Sequence, residues 1–377
     1  MANTLNVGNG DWATKENSLL GYNSENGNYK PLPFDFTRAS NGTFVNKSGL
    51  IETAASGVPR IDFSNDAKGA LLLEPQRSNF ITYSEDFSFW TIGGSITITD
   101  NQIISPDGTL NAAILDFTSA VSGGNGVYRF TGDLTGSLSR SIYLKGAVGG
   151  ETVDLSDPHM GGGSNITLTT EWQRFEYIST AENTNSGIWL KNSIGNVIHA
   201  WGAQLEESSY PTSYIPTQGS AVTRVADACN QTVPDGVIGQ TEGVIFLDIK
   251  MPSVIQSNTT FSIGGGTSGE YAQLEIRSDL SINWRYRVGN GDYINANVGS
   301  YLGGDRLKLA FAYKNGDSIL YKNGVSIATD TGSIVSNSWN NVDFSNYAGT
   351  GKLNADVNQT SLYNTRLSNS ELAALTS

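Results

Sequence analysis

Apolar and polar residues alternate through Ile198-His-Ala-Trp-Gly-Ala203, with Ile198, Ala200 and Gly202 pointing one way and His199, Trp201 and Ala203 the other. That period of two predicts a strand with one buried face. Pro211 and Pro216 end it, because proline cannot donate to a ladder and forces its predecessor into extended geometry. The following Tyr210-Pro-Thr-Ser-Tyr-Ile-Pro-Thr217 reads as an extended, strapped-down linker, and the pattern restarts near Val244. Upstream, Ser95–Thr99, Val127–Phe130, Ser139–Leu144, Gln173–Ile178 and Gly187–Leu190 are strand-length runs between Gly- and Asn-rich turns. Downstream, Gly243–Ile249, Ala272–Arg277, Ser281–Val288 and Arg306–Tyr313 repeat the pattern, with Leu307, Leu309, Phe311 and Tyr313 on one face. Asn315-Gly316 and Asn323-Gly324 mark hairpin turns. Near the C-terminus, Ser368 and Glu371 have capping-box spacing, and Leu367 can staple onto Leu372.

Residues 1–80 are less regular. Ala13–Leu20 reads as a short helix, Asn41-Gly42 as a hairpin tip, and Gly49–Glu52 and Val58–Phe63 as short strands. Ala70-Leu-Leu-Leu-Glu74 is stopped by Pro75. The fold expected is all-β. Two β-sandwich (jelly-roll) modules, 81–227 and 228–377, follow an irregular β-rich attachment segment, 1–80, and a short helix closes the chain.

Composition narrows the class. The chain has 377 residues, of which 16% are charged; Lys and Arg number 23 against 36 Asp and Glu, a formal charge of −13. That sign repels nucleic-acid backbones and anionic membranes. No apolar run approaches the roughly 20 residues of a membrane span. The start, Met1-Ala-Asn-Thr-Leu-Asn6, has no basic region or apolar core, so no signal peptide is expected. Cys229 is the only cysteine, which excludes an internal disulfide and a cysteine-based zinc site. A β-rich chain made without disulfides or export signal suits a virion protein assembled in a bacterial cytoplasm.

Six phrases carry a resemblance: Asp11-Trp-Ala-Thr-Lys-Glu16, Phe34-Asp-Phe-Thr-Arg-Ala39, Val45-Asn-Lys-Ser-Gly-Leu-Ile-Glu52, Gly57-Val-Pro-Arg-Ile-Asp62, Leu71-Leu-Leu-Glu-Pro-Gln-Arg-Ser-Asn79 and Tyr83-Ser-Glu-Asp-Phe87. With Trp201–Glu206, Tyr210–Thr217 and Thr223-Arg224, their ordered succession resembles tailed-bacteriophage structural proteins of the tail-fibre or lectin-like kind. Glu171-Trp-Gln-Arg-Phe-Glu-Tyr177 resembles a strand of carbohydrate-binding jelly rolls, with Trp172 and Trp201 then structural. Leu320-Tyr-Lys-Asn-Gly-Val325 and the ending Ser361–Leu375 resemble the concanavalin-A-like, laminin-G-type sandwich. The resemblance implies a virion component bound to other virion proteins as a homo-oligomer, with a trimer favoured by analogy to phage fibres.

Candidate chemistry is sparse. Glycanases on such sandwiches need carboxylates on one strand face pointing into a cleft. Glu242 with Asp248, and Glu270 with Glu275, lack that spacing, so no enzyme is expected. His159 and His199 lack a nucleophile partner. No cofactor is implied; Asp62–Gly69 and Asn290–Tyr293 offer oxygens that suit calcium and suit turns equally. For carbohydrate, Trp284, Tyr286, Tyr293 and Tyr301 cluster with Asn283, Asn295 and Arg285 and form the candidate binding set, with core packing as the rival role. Two readings follow: a fibre or tail-associated adhesin for a host surface glycan, or a head-fibre or capsid-decoration subunit with a purely assembly role.

Overall fold

In a computed structural model the described residues are 4–15, 18–21, 33–120, 125–159, 163–181, 185–191, 195–254, 257–289, 291–332 and 338–377. Strands account for nearly all regular structure, with one short C-terminal α-helix. Contacts divide the chain into two units: 1–49 with 54–75 and 225–377, and 50–53 with 76–224.

In the first unit the alternation read from the sequence becomes two sheets around one core. One sheet runs Val325–Asp330, Ser318–Lys322, Arg306–Lys314, Glu242–Lys250, Ala355–Tyr363, Ala70–Leu73, Ile61–Asp62, and Leu5–Gly8 also pairs with Ala355–Tyr363. The other runs Thr14–Lys15, Ser18–Leu20, Pro33–Thr37, Ala228–Thr232, Asn341–Asp343, Thr259–Thr267, Glu270–Ile276, Ser281–Val288, Gly291–Ser300. Leu307, Leu309, Phe311 and Tyr313 face inward, as their spacing predicts, against Phe261, Leu274, Trp284 and Phe344. Ala310 and Ala312, on the opposite face of that strand, meet the helix Asn369–Thr376 through Leu367 and Leu372. Ser368 and Glu371 form the expected reciprocal capping box.

The first 75 residues therefore do not form a separate attachment segment. Most of their strands are too short to close a core and instead complete both sheets of the C-terminal sandwich, as Leu5–Gly8 does on Ala355–Tyr363 and Pro33–Thr37 on Ala228–Thr232, while residues 50–53 group with the second unit. The helix expected at Ala13–Leu20 is instead two strands, Thr14–Lys15 and Ser18–Leu20, paired antiparallel. So short a helix would be marginal alone, whereas the strand lets Leu19 reach the core. Nor does Asn41-Gly42 turn a hairpin: Pro33–Thr37 pairs with Ser18–Leu20 and Ala228–Thr232. Gly42 serves close packing, since a Cβ there would lie 3.0 Å from Arg38 Nε and 3.3 Å from Arg60 Cδ.

Those two arginines belong to a buried ionic group. Asp227 accepts from Arg38 Nη1 at 3.1 Å, Arg60 Nη2 at 2.5 Å and the Glu74 amide at 2.8 Å. Glu74 accepts a second bond from Arg60 Nη1 at 2.7 Å. Arg38 also donates to the carbonyls of Ser40, Ala55 and Val58. Burial works against the charge on Arg60, but Glu74 and Asp227 outweigh it and hold its pKa above the usual arginine value.

The second unit stacks two five-stranded antiparallel sheets. One runs Thr91–Gly93, Gly126–Asp133, Asn185–Lys191, Thr152–Ser156, Gly163–Thr167, and the other Thr97–Ile104, Leu110–Asp116, Val197–Glu207, Ser137–Gly146, Gln173–Thr180. Inward residues such as Leu115, Val127, Ile142, Ile188 and Ile198 form one core. The strapped-down linker expected at Tyr210–Thr217 is present. Gln204 accepts from the Ile215 amide at 2.6 Å, Glu206 from the Thr212 amide at 2.8 Å, and Ser84 Oγ from the Thr217 amide at 2.8 Å.

Two outcomes are expected. Asp227→Ala should destabilise the first unit by about 3–5 kcal/mol, because it leaves two buried cations without their shared anion; denaturant midpoints measure this. Burial, with Asp62 adding repulsion, pushes the Asp356 carboxyl up to about 6. A folded-state pKa above the unfolded one favours the protonated native form, so this contribution is full below about pH 4 and is lost as pH rises through about 6. Asp356→Asn should abolish that fall in the midpoint-against-pH curve.

Candidate functional site

Alternation along Ser281–Val288 decides the fate of the aromatic set. Trp284, Tyr286 and Tyr301 are 1%, 0% and 2% exposed. Trp284 and Tyr286 lie 5.2 and 5.5 Å from the Phe311 ring, and Tyr286 lies 5.3 Å from Trp339. These three are core residues and offer no face to a sugar, which corrects the expectation from sequence. The Tyr293 side chain lies outside the described residues. Odd-numbered neighbours take the outer face, where Asn283 donates to Asn295 at 2.9 Å and Arg285 clamps Asp292 at 3.0 and 2.7 Å. That face is polar and largely bonded to itself.

The remaining singled-out residues are similarly engaged. Trp201 is 1% exposed and tilts onto Tyr214 at 4.6 Å, a structural role as expected. Trp172 is half-buried and outside the core; its indole donates to Ile104 O at 2.9 Å and Lys145 sits 5.1 Å from its ring. His159 is exposed and stacks on Phe130 at 5.0 Å. Burial, then Lys145, lowers the pKa of His199. Burial raises the Cys229 thiol well above its ordinary value.

Glu242 meets Lys314 at 3.0 Å, Asp248 meets Arg306 at 2.7 Å, Glu275 meets Arg277 at 2.8 Å, and Glu270 accepts from Ser338 Oγ at 2.6 Å. In the loop considered for calcium, Asp62 accepts from the Ser64 amide and Asp66 pairs with Arg306 at 3.0 Å. Asp292 is held by Arg285, and Asn290 lies outside the described residues. Among the described residues no group of three or more His, Cys, Asp or Glu is placed to hold a metal ion.

A cleft that sequence reasoning missed lies in the second unit, with a volume of about 460 Å³. The short 3-10 turn Phe87–Phe89 forms part of its frame. Asp86 caps that turn through the Ser88 amide at 3.2 Å. Asp100, on Thr97–Ile104, accepts the Phe87 and Ser88 amides at 3.1 and 2.9 Å. Glu85 accepts from Tyr214 Oη at 2.8 Å and Asn111 Nδ2 at 3.1 Å. Thr217 and Gln218, following the strap, also line the cleft. Burial raises the pKa of Glu85, and Asp107 adds to it. Burial and the neighbouring Asp86 likewise raise Asp100, although the turn amides oppose the shift. At the end of the 3-10 turn, Phe89 is 50% exposed and stacks on Tyr83 at 4.0 Å, and Tyr83 forms a backbone bridge with Gln218.

The cleft was hidden because its walls come from separate stretches of chain. Tyr83–Phe87 and the strap were each visible as phrases. Nothing local in sequence brings Glu85 to Tyr214 across 129 positions.

No protein-family model matches the chain. No curated protein matches it either. Among solved structures, the chain is similar to the CBM40 module of an IT-sialidase from Ruminococcus gnavus bound to alpha2,6 sialyllactose, with 21% identity over 37% of this chain and 85% of that one, at a TM-score of 0.32. It is similar to domain 4 of AbnA, a GH43 extracellular arabinanase from Geobacillus stearothermophilus, in complex with arabinotriose (18% identity, 44% and 81% of the chains, TM-score 0.35). A third similar structure is the galectin LEC-6 of Caenorhabditis elegans (14% identity, 35% and 94%, TM-score 0.25). These are β-sandwich proteins, and at such TM-scores the likeness carries no argument about this chain.

Trp284→Ala should cost about 3–5 kcal/mol as a core cavity, whereas Arg285→Ala on the outer face should stay within about 1 kcal/mol. Thermal and denaturant unfolding of the two variants compares them directly.

Proposed function

We propose that the chain is a non-enzymatic structural protein of a bacteriophage virion, a fibre or tail-associated adhesin that recognises a host surface glycan through the cleft of the 76–224 unit. The ordered phrases from Asp11 to Arg224 support the virion assignment. The observation that carries the recognition role is the cleft itself: about 460 Å³, walled by Glu85, Asp86, Asp100, Asn101, Asn111 and Gln218 among others. Convergent planar carboxylate and amide groups suit a sugar, whose hydroxyls both donate and accept.

The same carboxylates do not suit hydrolysis. Glu85 is held by Tyr214 and Asn111, and Asp100 by two amides of the turn, so both serve to fix the cleft. Homo-oligomerisation, with a trimer favoured, belongs to this proposal, as does location in the virion. A second reading, a head-fibre or capsid-decoration subunit, is favoured by one specific observation. The residues that carry the phage resemblance include Arg38, Arg60, Glu74, Asn79, Gln204 and Glu206, all buried and framework-forming.

Labelled protein should bind host cells and purified host polysaccharide, and Asp100→Ala with Asn111→Ala should reduce binding at least tenfold while leaving the fold intact by circular dichroism. No new reducing ends should appear in the polysaccharide. Binding that is absent in the unaltered protein, with the chain located on the capsid surface of intact particles, would establish the assembly reading instead.

A further inference from the structure

Hydrogen-bond bookkeeping in the cleft says more than that a glycan fits. Glu85, Asp86 and Asp100 contribute carboxylate oxygens. Asn111 spends its amide N–H groups on Glu85 at 3.1 Å and Asp107 at 3.2 Å, leaving its Oδ1 buried without a partner. The Ser88 amide is shared between Asp86 Oδ1 at 3.2 Å and Asp100 Oδ2 at 2.9 Å, so one donor serves two carboxylates. Tyr214 Oη is engaged by Glu85 at 2.8 Å and Ser84 at 2.6 Å and is fully turned to the protein. Among the described residues, none of Glu85, Asp86 and Asp100 has a Lys or Arg nitrogen within 4.0 Å. Asn101 and Gln218 also line the cleft with amides that can donate as well as accept, but with three carboxylates and no Lys or Arg in its lining the cavity is negative in sign.

From this balance we infer that the cleft selects saccharides that donate hydrogen bonds and carry no acid group: neutral or amine-bearing glycans, to the exclusion of uronates, sialic acids and phosphorylated sugars. The inference rests on the glycan reading of the same cleft and adds the ligand class. A neutral pyranoside offers hydroxyls as donors to the carboxylates of the wall. A ligand carboxylate or phosphate places like charges side by side with Glu85, Asp86 and Asp100. Specificity then comes from repulsion as much as from contact. Asn101, Pro216, Thr217 and Gln218 complete the wall and carry no charge.

A printed array holding neutral, amine-bearing, and carboxylate- or phosphate-bearing bacterial saccharides tests this with the full chain at low ionic strength. Signals are expected on neutral or amine-bearing members, at least tenfold above the acidic ones. Asp86→Asn keeps a good capping residue on the turn and, combined with Asp100→Asn, should raise binding of acidic members and narrow the ratio to below about threefold. An unchanged melting temperature shows that the turn survives. Acidic saccharides bound as well as or better than neutral ones by the unaltered protein would overturn the inference and leave the glycan reading standing. A ratio unmoved by the double variant would also overturn it, since selectivity would then arise elsewhere. If no saccharide of any class binds, the glycan reading itself falls and the ligand class falls with it.

Discussion

Asp227 is the constraint on which the first unit depends. Its two oxygens hold Arg38, Arg60 and the Glu74 amide, three points far apart in sequence. A buried charge of this kind adds little net stability over a well-packed apolar group, but it tolerates no partial assembly. Each arginine buried without its carboxylate costs several kcal/mol, so the segments 33–45, 54–75 and 225–232 are fixed together or not at all. Arg38 extends the constraint by donating to the carbonyls of Ala55 and Val58, which fixes the loop between them. Short strands such as Ile61–Asp62 and Ala70–Leu73 gain their register in this way.

In the second unit the same kind of frame acts closer to function. Gln204 and Glu206 lie on Val197–Glu207 and take up the strap at Ile215 and Thr212. Asn79 bridges the carbonyls of Ala203 and Ile215, and Ser84 takes Thr217. Tyr214 is thereby placed with its ring on Trp201 and its hydroxyl on Glu85. A wall of the cleft is therefore set by a chain of buried polar contacts that starts two strands away, and its geometry needs no ligand to form it. Preorganisation of this sort lowers the ordering cost of binding.

The strands of both sandwiches were legible because period-two alternation follows from burying one face of a sheet, as in Arg306–Lys314 with Leu307, Leu309, Phe311 and Tyr313 inward. The capping box at Ser368 and Glu371 and the turns at Asn315-Gly316 and Asn323-Gly324 were legible because their chemistry is local. Sidedness was not legible where both faces carry large side chains: Trp284 and Tyr286 alternate with Asn283, Arg285 and Arg287, and either set could have faced out. Strand partners were not legible at all, which is why residues 1–80 read as an attachment segment although Leu5–Gly8 pairs with Ala355–Tyr363. The cleft failed to show for the same reason, since it is made by Glu85, Asp100, Asn111 and Thr217 only after those pairings exist.

The phrases that resemble phage structural proteins contain both buried frame residues and residues of the cleft, Glu85, Asp86, Pro216 and Thr217, and the two kinds fall under different physical pressures. Arg38, Arg60, Glu74 and Asp227 form one closed ionic group, and Asn79, Gln204, Glu206 and Thr212 a second group of hydrogen bonds. Loss of one member strands its partners in the interior, at several kcal/mol. Cleft residues such as Gln218 face solvent-accessible space, where substitution costs about a few tenths of a kcal/mol to the fold. Buried polar groups therefore fix the frame, whereas exposed positions of the cleft tolerate substitution. Resemblance through the frame then speaks to how the chain is built. The charge of the cleft is set apart from that frame, by Glu85, Asp86 and Asp100, and under the proposal made above it disfavours ligands that carry acid groups.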